Sequence, residues 1–179
     1  MPTSRPYPLT WFCNFVLNYQ PKTVLDIGIG SGKYGFLARE YTDNWNNYLD
    51  ENKVRIDGIE IFPEYVKNIH YKIYDTIYIA DALEILPDLK VYDLIIASDI
   101  LEHFCQKDGI KFLDLIKQHC KKAIVITPNE KWYTSQGAVY DNTNEIHLWC
   151  WKEEDLKQYG EIVKFESCNA LIIGGNNVK

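Results

Sequence analysis

The sequence predicts a doubly wound α/β fold. Helices cover both faces of a mostly parallel seven-stranded sheet that ends in a C-terminal antiparallel hairpin. Three observations carry that prediction. Short apolar runs alternate with helix-patterned stretches from residue 9 to residue 175. The first apolar run passes straight into a glycine-rich turn and then a helical pattern. The last two runs have too little chain between them for a crossover, so they must pair antiparallel.

Each element follows in chain order. Residues 9–19 (LTWFCNFVLNY) are apolar at helical spacing and stop before Pro21, giving a lead-in helix within residues 1–20. Residues 23–28 (TVLDIG), bounded by Pro21 and glycine, form a buried strand. A helix follows over 34–41, then a polar, turn-rich loop with a helical fragment over 42–53. Residues 54–62 are the second strand, and Pro63 suits the first position of a helix running to about Asn68. Residues 76–81 are the third strand, with a helical turn over 82–86. Residues 91–99 (VYDLIIASD) are the most apolar strand and belong at the centre. An amphipathic helix over 109–119 leads to the strand at 122–128. A long polar and aromatic loop begins at residue 129, and a helix covers 152–158. EIVKFES (161–167) and CNALIIGG (168–175) are the closing strands.

Composition narrows the class. The 179 residues, 46% hydrophobic and 25% charged, fit one domain over 1–179 with an ordinary globular balance. No apolar run approaches the roughly 20 residues of a membrane span. MPTSRPYPLTWF lacks the charged-then-apolar layout of a secretion signal. A net charge of −6 gives no global attraction for nucleic acid. The five cysteines contain no Cys-x-x-Cys pair, which reads as scattered reduced thiols of a cytoplasmic protein. No metal-binding set is expected.

The stretch VLDIGIGSGKYGFLARE (24–40) raises the functional question. Glycine costs backbone entropy and packs nothing, so something must approach the backbone closely there. A triphosphate loop requires G-x-x-x-x-G-K-[ST]; Ile27 and Tyr34 break that pattern. A dinucleotide fingerprint, G-x-G-x-x-G, matches Gly30–Gly35 literally, but the first glycine should directly follow the strand, where Gly28 stands. The third reading is a loop for S-adenosylmethionine (SAM), in the order Asp26, Gly28, Gly30, Gly32. SAM carries no phosphate. Its methionine part and ribose need bare backbone, and an acid suits its cationic end.

On these residues the chain resembles the class I SAM-dependent methyltransferases of Rossmann-like fold, in particular small single-domain members of types 11 and 23. The resemblance runs from about residue 9 to residue 175. Glu60 in IDGIEIFPEYV matches the acid that holds the ribose hydroxyls; two hydroxyl donors call for a carboxylate. Asp81 and Ala82 in YIADALEIL match the position that reads the adenine edge. YDLIIASDILEHF matches the fourth-strand motif, whose Ser98, Asp99 and His103 would face the reaction. AIVITPNE and EIHLWCWKEEDL match the segments that follow. The resemblance implies cofactor contacts from Asp26, Gly28, Gly30, Gly32, Tyr34, Glu60, Ile61, Asp81, Ala82 and Ser98. It names His103 and Asp99 as the catalytic candidates and S-adenosylhomocysteine (SAH) as product.

Transfer from a sulfonium is an in-line displacement in which the protein chiefly positions the acceptor and excludes water. A base is needed only where the acceptor loses a proton; Asp99, His103, Glu145 and His147 are available, with His103 favoured. SDIL stands where base-amine methylating enzymes carry Asn/Asp-Pro-Pro-aromatic, and no Pro-Cys is present. A small-molecule acceptor is therefore expected rather than nucleic acid. It would be held by Arg5, Tyr7 and Trp11 and by a candidate lid over 129–149 bearing Trp132, Tyr133 and Tyr140. The alternatives are a non-catalytic SAM-binding protein of the same fold and a nicotinamide-dependent oxidoreductase.

Overall fold

The computed structural model describes residues 4–46 and 53–174. Seven strands lie in the order β3-β2-β1-β4-β5-β7-β6. They are β1 (Thr23–Ile27), β2 (Arg55–Glu60), β3 (Thr76–Ile79), β4 (Tyr92–Ser98), β5 (Cys120–Pro128), β6 (Gly160–Lys164) and β7 (Cys168–Ile173). β1 to β5 pair in parallel, and β7 inserts antiparallel between β5 and β6.

Alternation along the strands sorts the core into two layers. Leu94 and Ile96 of β4 join α1 (Leu9–Tyr19), α2 (Lys33–Arg39) and α3 (His70–Ile73) on one face. Ile95 and Ala97 join α4 (Ala82–Ile85), α5 (Gln106–His119) and α6 (Glu153–Leu156) on the other. β4 is buried along almost its whole length, as its unbroken apolar run requires. From β1 the chain winds outward to β2 and β3, and β4 returns to its other side. The strand order therefore reverses between β1 and β4, and a crevice opens at their carboxyl ends.

Several boundaries differ from expectation. Pro63 starts only a 3-10 turn, Pro63–Tyr65; the chain is extended at Val66, and α3 begins at His70, whose Nδ1 accepts from Lys67 N–H at 2.8 Å. α5 begins three residues before the predicted Gly109. α6 ends at Leu156, because the chain must already be extended at Gly160 to enter β6. After α2 the helix widens into a π-turn over Glu40–Asn44. The predicted helical fragment within 42–53 lies partly outside the described residues, as do Met1–Thr3 of the lead-in segment and Gly175 of the last strand.

One buried ion network fixes α2 to the sheet. Arg39, 7% exposed, bonds Asp43 (2.7 Å), Asp75 (2.9 Å) and the carbonyls of Val54 and Ile73. Nothing in the local sequence pattern marks it. No helix among the described residues is long and apolar enough to cross a membrane.

Candidate active site at the carboxyl ends of the strands

The turn after β1 is built on three left-handed glycines, Gly28 (φ 71°), Gly30 (φ 49°) and Gly32 (φ 81°). Their bare α-carbons serve different surfaces. A Cβ on Gly30 would meet nothing nearer than the Gly28 carbonyl at 3.9 Å, so Gly30 opens onto the cleft. On Gly28 it would stand 2.0 Å from Ile100 Cδ1, a packing demand made by the chain leaving β4. On Gly32 it would stand 2.9 Å from Ile73 Cδ1 and 3.0 Å from His70. Gly32 thus faces α3 and does not line the cleft, contrary to the cofactor contact expected of it.

A cleft of about 300 Å³ runs from this turn to the ends of β2 and β4, and a second of about 230 Å³ adjoins it toward β3. The two share Gly28, Ile61, Ile100, His103 and Asn144. Asp26, Glu60, Tyr34 and Ser98 line the first; Asp81 and Ala82 line the second.

Asp26 is 3% exposed. Its Oδ2 accepts from the Tyr74 hydroxyl (2.6 Å) and Gly35 N–H (2.9 Å). Burial pushes its carboxyl up to about 7 against those two bonds, with Glu60 adding to the rise. Glu60, at the end of β2, is also buried. Its Oε2 accepts from Gly30 N–H (3.2 Å) and its Oε1 from Phe62 N–H (3.0 Å), and each oxygen keeps a lone pair for a further donor. Burial raises it as well. Asp81 caps α4 by accepting from Leu83 N–H at 2.8 Å while lining the second cleft, so it serves a structural end and a site together. Tyr34 packs edge-on against Phe12 at 4.9 Å, and its buried hydroxyl makes no hydrogen bond within 3.5 Å among the described residues.

The other end of the cleft is densely ionisable. Asp99 follows β4 in the left-handed region (φ 55°), accepting from Ser98 Oγ–H at 3.0 Å. Burial raises its pKa against the Ser98 bond and the charge of Lys33. The 3-10 turn Leu101–His103 then brings in Glu102 and His103. Glu102, 1% exposed, accepts from Thr127 Oγ1–H at 3.1 Å; burial and the neighbouring Asp99 hold it well above the carboxylate range. Sequence reading passed over Glu102. Its only signal was its place beside His103 and three residues after Asp99, which puts both carboxyls on one turn. Burial lowers the His103 pKa, opposed by the Ile146 carbonyl at 3.3 Å.

The loop after β5 closes this end. Trp132, Thr134, Gln136, Glu145 and His147 line the cleft, and Arg5 lies over the Trp132 ring at 4.4 Å. Burial raises the Glu145 carboxyl. Four expected acceptor contacts, Tyr7, Trp11, Tyr133 and Tyr140, are absent from the lining, the Tyr133 ring standing 5.5 Å from that of His147. Tyr7 and Tyr140 are exposed, and Trp11 packs between Phe15 (5.8 Å) and Phe165 (5.6 Å). An aromatic on α1 serves the core layer beneath the sheet rather than the cleft above it. Trp151, 1% exposed, anchors the loop's far end by donating from Nε1 to the Leu101 carbonyl at 2.8 Å.

A family model described as a methyltransferase domain matches residues 5–166. No curated protein sequence matches the chain. Among solved structures, the N-terminal domain of EvdMO1, crystallised with SAH and D-fucose, is similar at a TM-score of 0.65 and 13% identity, covering 96% of this chain and 84% of that one. A SAM-dependent methyltransferase from Archaeoglobus fulgidus gives 0.63 and 16%, covering 93% and 92%. TehB from Haemophilus influenzae gives 0.67 and 8%, with 93% of this chain spanning 62% of that one. At such identities these likenesses are of fold.

Proposed function

The chain belongs to the methyltransferase-domain family, and from that premise we propose that it moves the methyl group of SAM to a small-molecule acceptor bound beneath the loop after β5. The observation that supports this reading most is the continuity of the two clefts. They run from Asp81 past Glu60 and the open face of Gly30 to Asp99 and His103. A nucleoside joined to a charged amino-acid tail needs that sequence of partners.

On this reading Asp81 and Ala82 face the adenine, Glu60 takes the ribose hydroxyls, and Asp26 faces the cationic end. The ligand brings a methyl group already activated on positive sulfur. The chain's own task is to orient the acceptor, keep water out and take up a proton where one is lost. Asp99 and His103 are within the cleft for that, and a carboxyl raised by burial is a stronger base than an exposed one. The structurally similar N-terminal domain of EvdMO1 was crystallised in the presence of SAH and D-fucose, which supports a small-molecule acceptor here.

Incubation with methyl-labelled SAM and separate pools of sugars, phenols, small amines and RNA tests the proposal. Label in a small-molecule pool is expected. Label in RNA alone would contradict the acceptor class, and label in none would favour a binding protein of the same fold.

A further inference from the structure

We propose that Glu102, His103 and His147 bind a divalent first-row transition-metal ion at the acceptor end of the cleft. One donor atom from each lies within 4.8 Å of the others. Ligands at about 2.0–2.2 Å from a common ion stand closer than that, so small side-chain rotations close the set.

Both rings are already oriented as ligands. His103 Nδ1 stands 3.3 Å from the Ile146 carbonyl and His147 Nδ1 2.7 Å from the Thr134 carbonyl. A carbonyl only accepts, so each Nδ1 carries the hydrogen and each Nε2 keeps its lone pair. A backbone carbonyl behind the ring is the usual support of a metal-binding histidine.

Glu102 is the one acidic ligand the set offers. It is almost wholly buried, has the Thr127 hydroxyl as a donor, and forms no ion pair with lysine or arginine among the described residues. Ionised in that position, the carboxyl calls for a counter-charge, which a bound ion would supply. The backbone also ties the two ligand segments together. The Glu102 carbonyl accepts from Leu148 N–H (2.8 Å) and Trp149 N–H (3.3 Å), so the turn bearing two ligands and the loop bearing the third are fixed to each other.

Two imidazoles and one carboxylate select manganese, iron, cobalt, nickel or zinc over magnesium and calcium, which favour all-oxygen sites. All three residues line the cleft, which leaves the remaining coordination positions open to it. There the ion would hold an oxygen of the acceptor, His103 would serve as a ligand, and Asp99 would remain to take a proton. That role rests on the methyl-transfer reading; the site itself does not.

The test is titration of chelator-stripped full-length protein with Co(II), followed by its visible d–d absorption, alongside calorimetry with SAM. One Co(II) per chain is expected. His147→Ala, in the half-buried loop, should weaken Co(II) by about 100-fold while SAM affinity stays within about twofold. Glu102→Gln should do the same; if it fails to fold, His147→Ala carries the test. Absence of stoichiometric Co(II) binding, or equal binding by His147→Ala, overturns the site. Co(II) binding without SAM binding leaves the site standing and sinks the methyl-donor reading alone.

Discussion

Asp26 sets a pH dependence on both stability and binding. Its carboxyl rises from an unfolded value of 3.8 to about 7 because it is buried. A raised folded value stabilises the protonated fold. That contribution is full below about pH 4 and is lost as pH climbs through about 7, by up to a tenfold change in the folding equilibrium per pH unit. Urea denaturation of wild type between pH 5 and 8 should show this decline, and Asp26→Asn, which keeps an acceptor for Tyr74 and Gly35, should flatten it. A cation beside Asp26 favours its charged form, so SAM should bind more weakly below pH 7 and release a proton on binding. Calorimetry in buffers of different ionisation enthalpy reads that proton. At Glu60, loss of a charge-assisted acceptor should cost about 1–3 kcal/mol of SAM binding in Glu60→Ala; a change below about 0.3 kcal/mol would mean that Glu60 does not hold the ligand. Gly30→Val should block binding by filling the open face of the turn. Gly28→Val carries no such clean meaning, since its side chain would collide with Ile100.

Two elements hold the cleft in place, and each offers a stability test. A Cβ on Gly109 would stand 2.1 Å from the Trp151 ring, so α5 closes on the tryptophan that anchors the loop after β5. Gly109→Ala gains up to about 1 kcal/mol of helix propensity but overpacks that contact by about 1–3 kcal/mol. A lowered thermal midpoint is expected; a raised one would show that Trp151 moves freely. Arg39 is the second. Arg39→Met leaves Asp43 and Asp75 without their shared cation beneath α2, which should cost about 3–5 kcal/mol in denaturant unfolding. Neither device was legible in the sequence. Gly109 reads as a weak spot in a helix, and Arg39 as one more charge on a helix face. Their meaning depends on partners from distant segments, Trp151 for the first and Asp75 for the second.

For the molecule as a whole, what the chain writes locally was readable. Alternation of strand and helix patterns gave the parallel pairing of β1–β5, and the short connection gave the β6–β7 hairpin. The insertion of β7 between β5 and β6 was not readable, because either edge of the pair satisfies the same pattern. Site legibility divides the same way. Asp26, Glu60 and Asp81 each stand at or just beyond a strand, where pattern alone points to a crevice. Glu102 and His147 come together only when the loop after β5 folds back over the turn after β4, and no spacing rule predicts that meeting. The central claim is that these strand ends hold SAM. Calorimetric titration of the purified protein with SAM, SAH and NAD tests it most directly. Binding of SAM and SAH in the micromolar range, with none of NAD, is the predicted result; binding of NAD alone, or of none of the three, would contradict it.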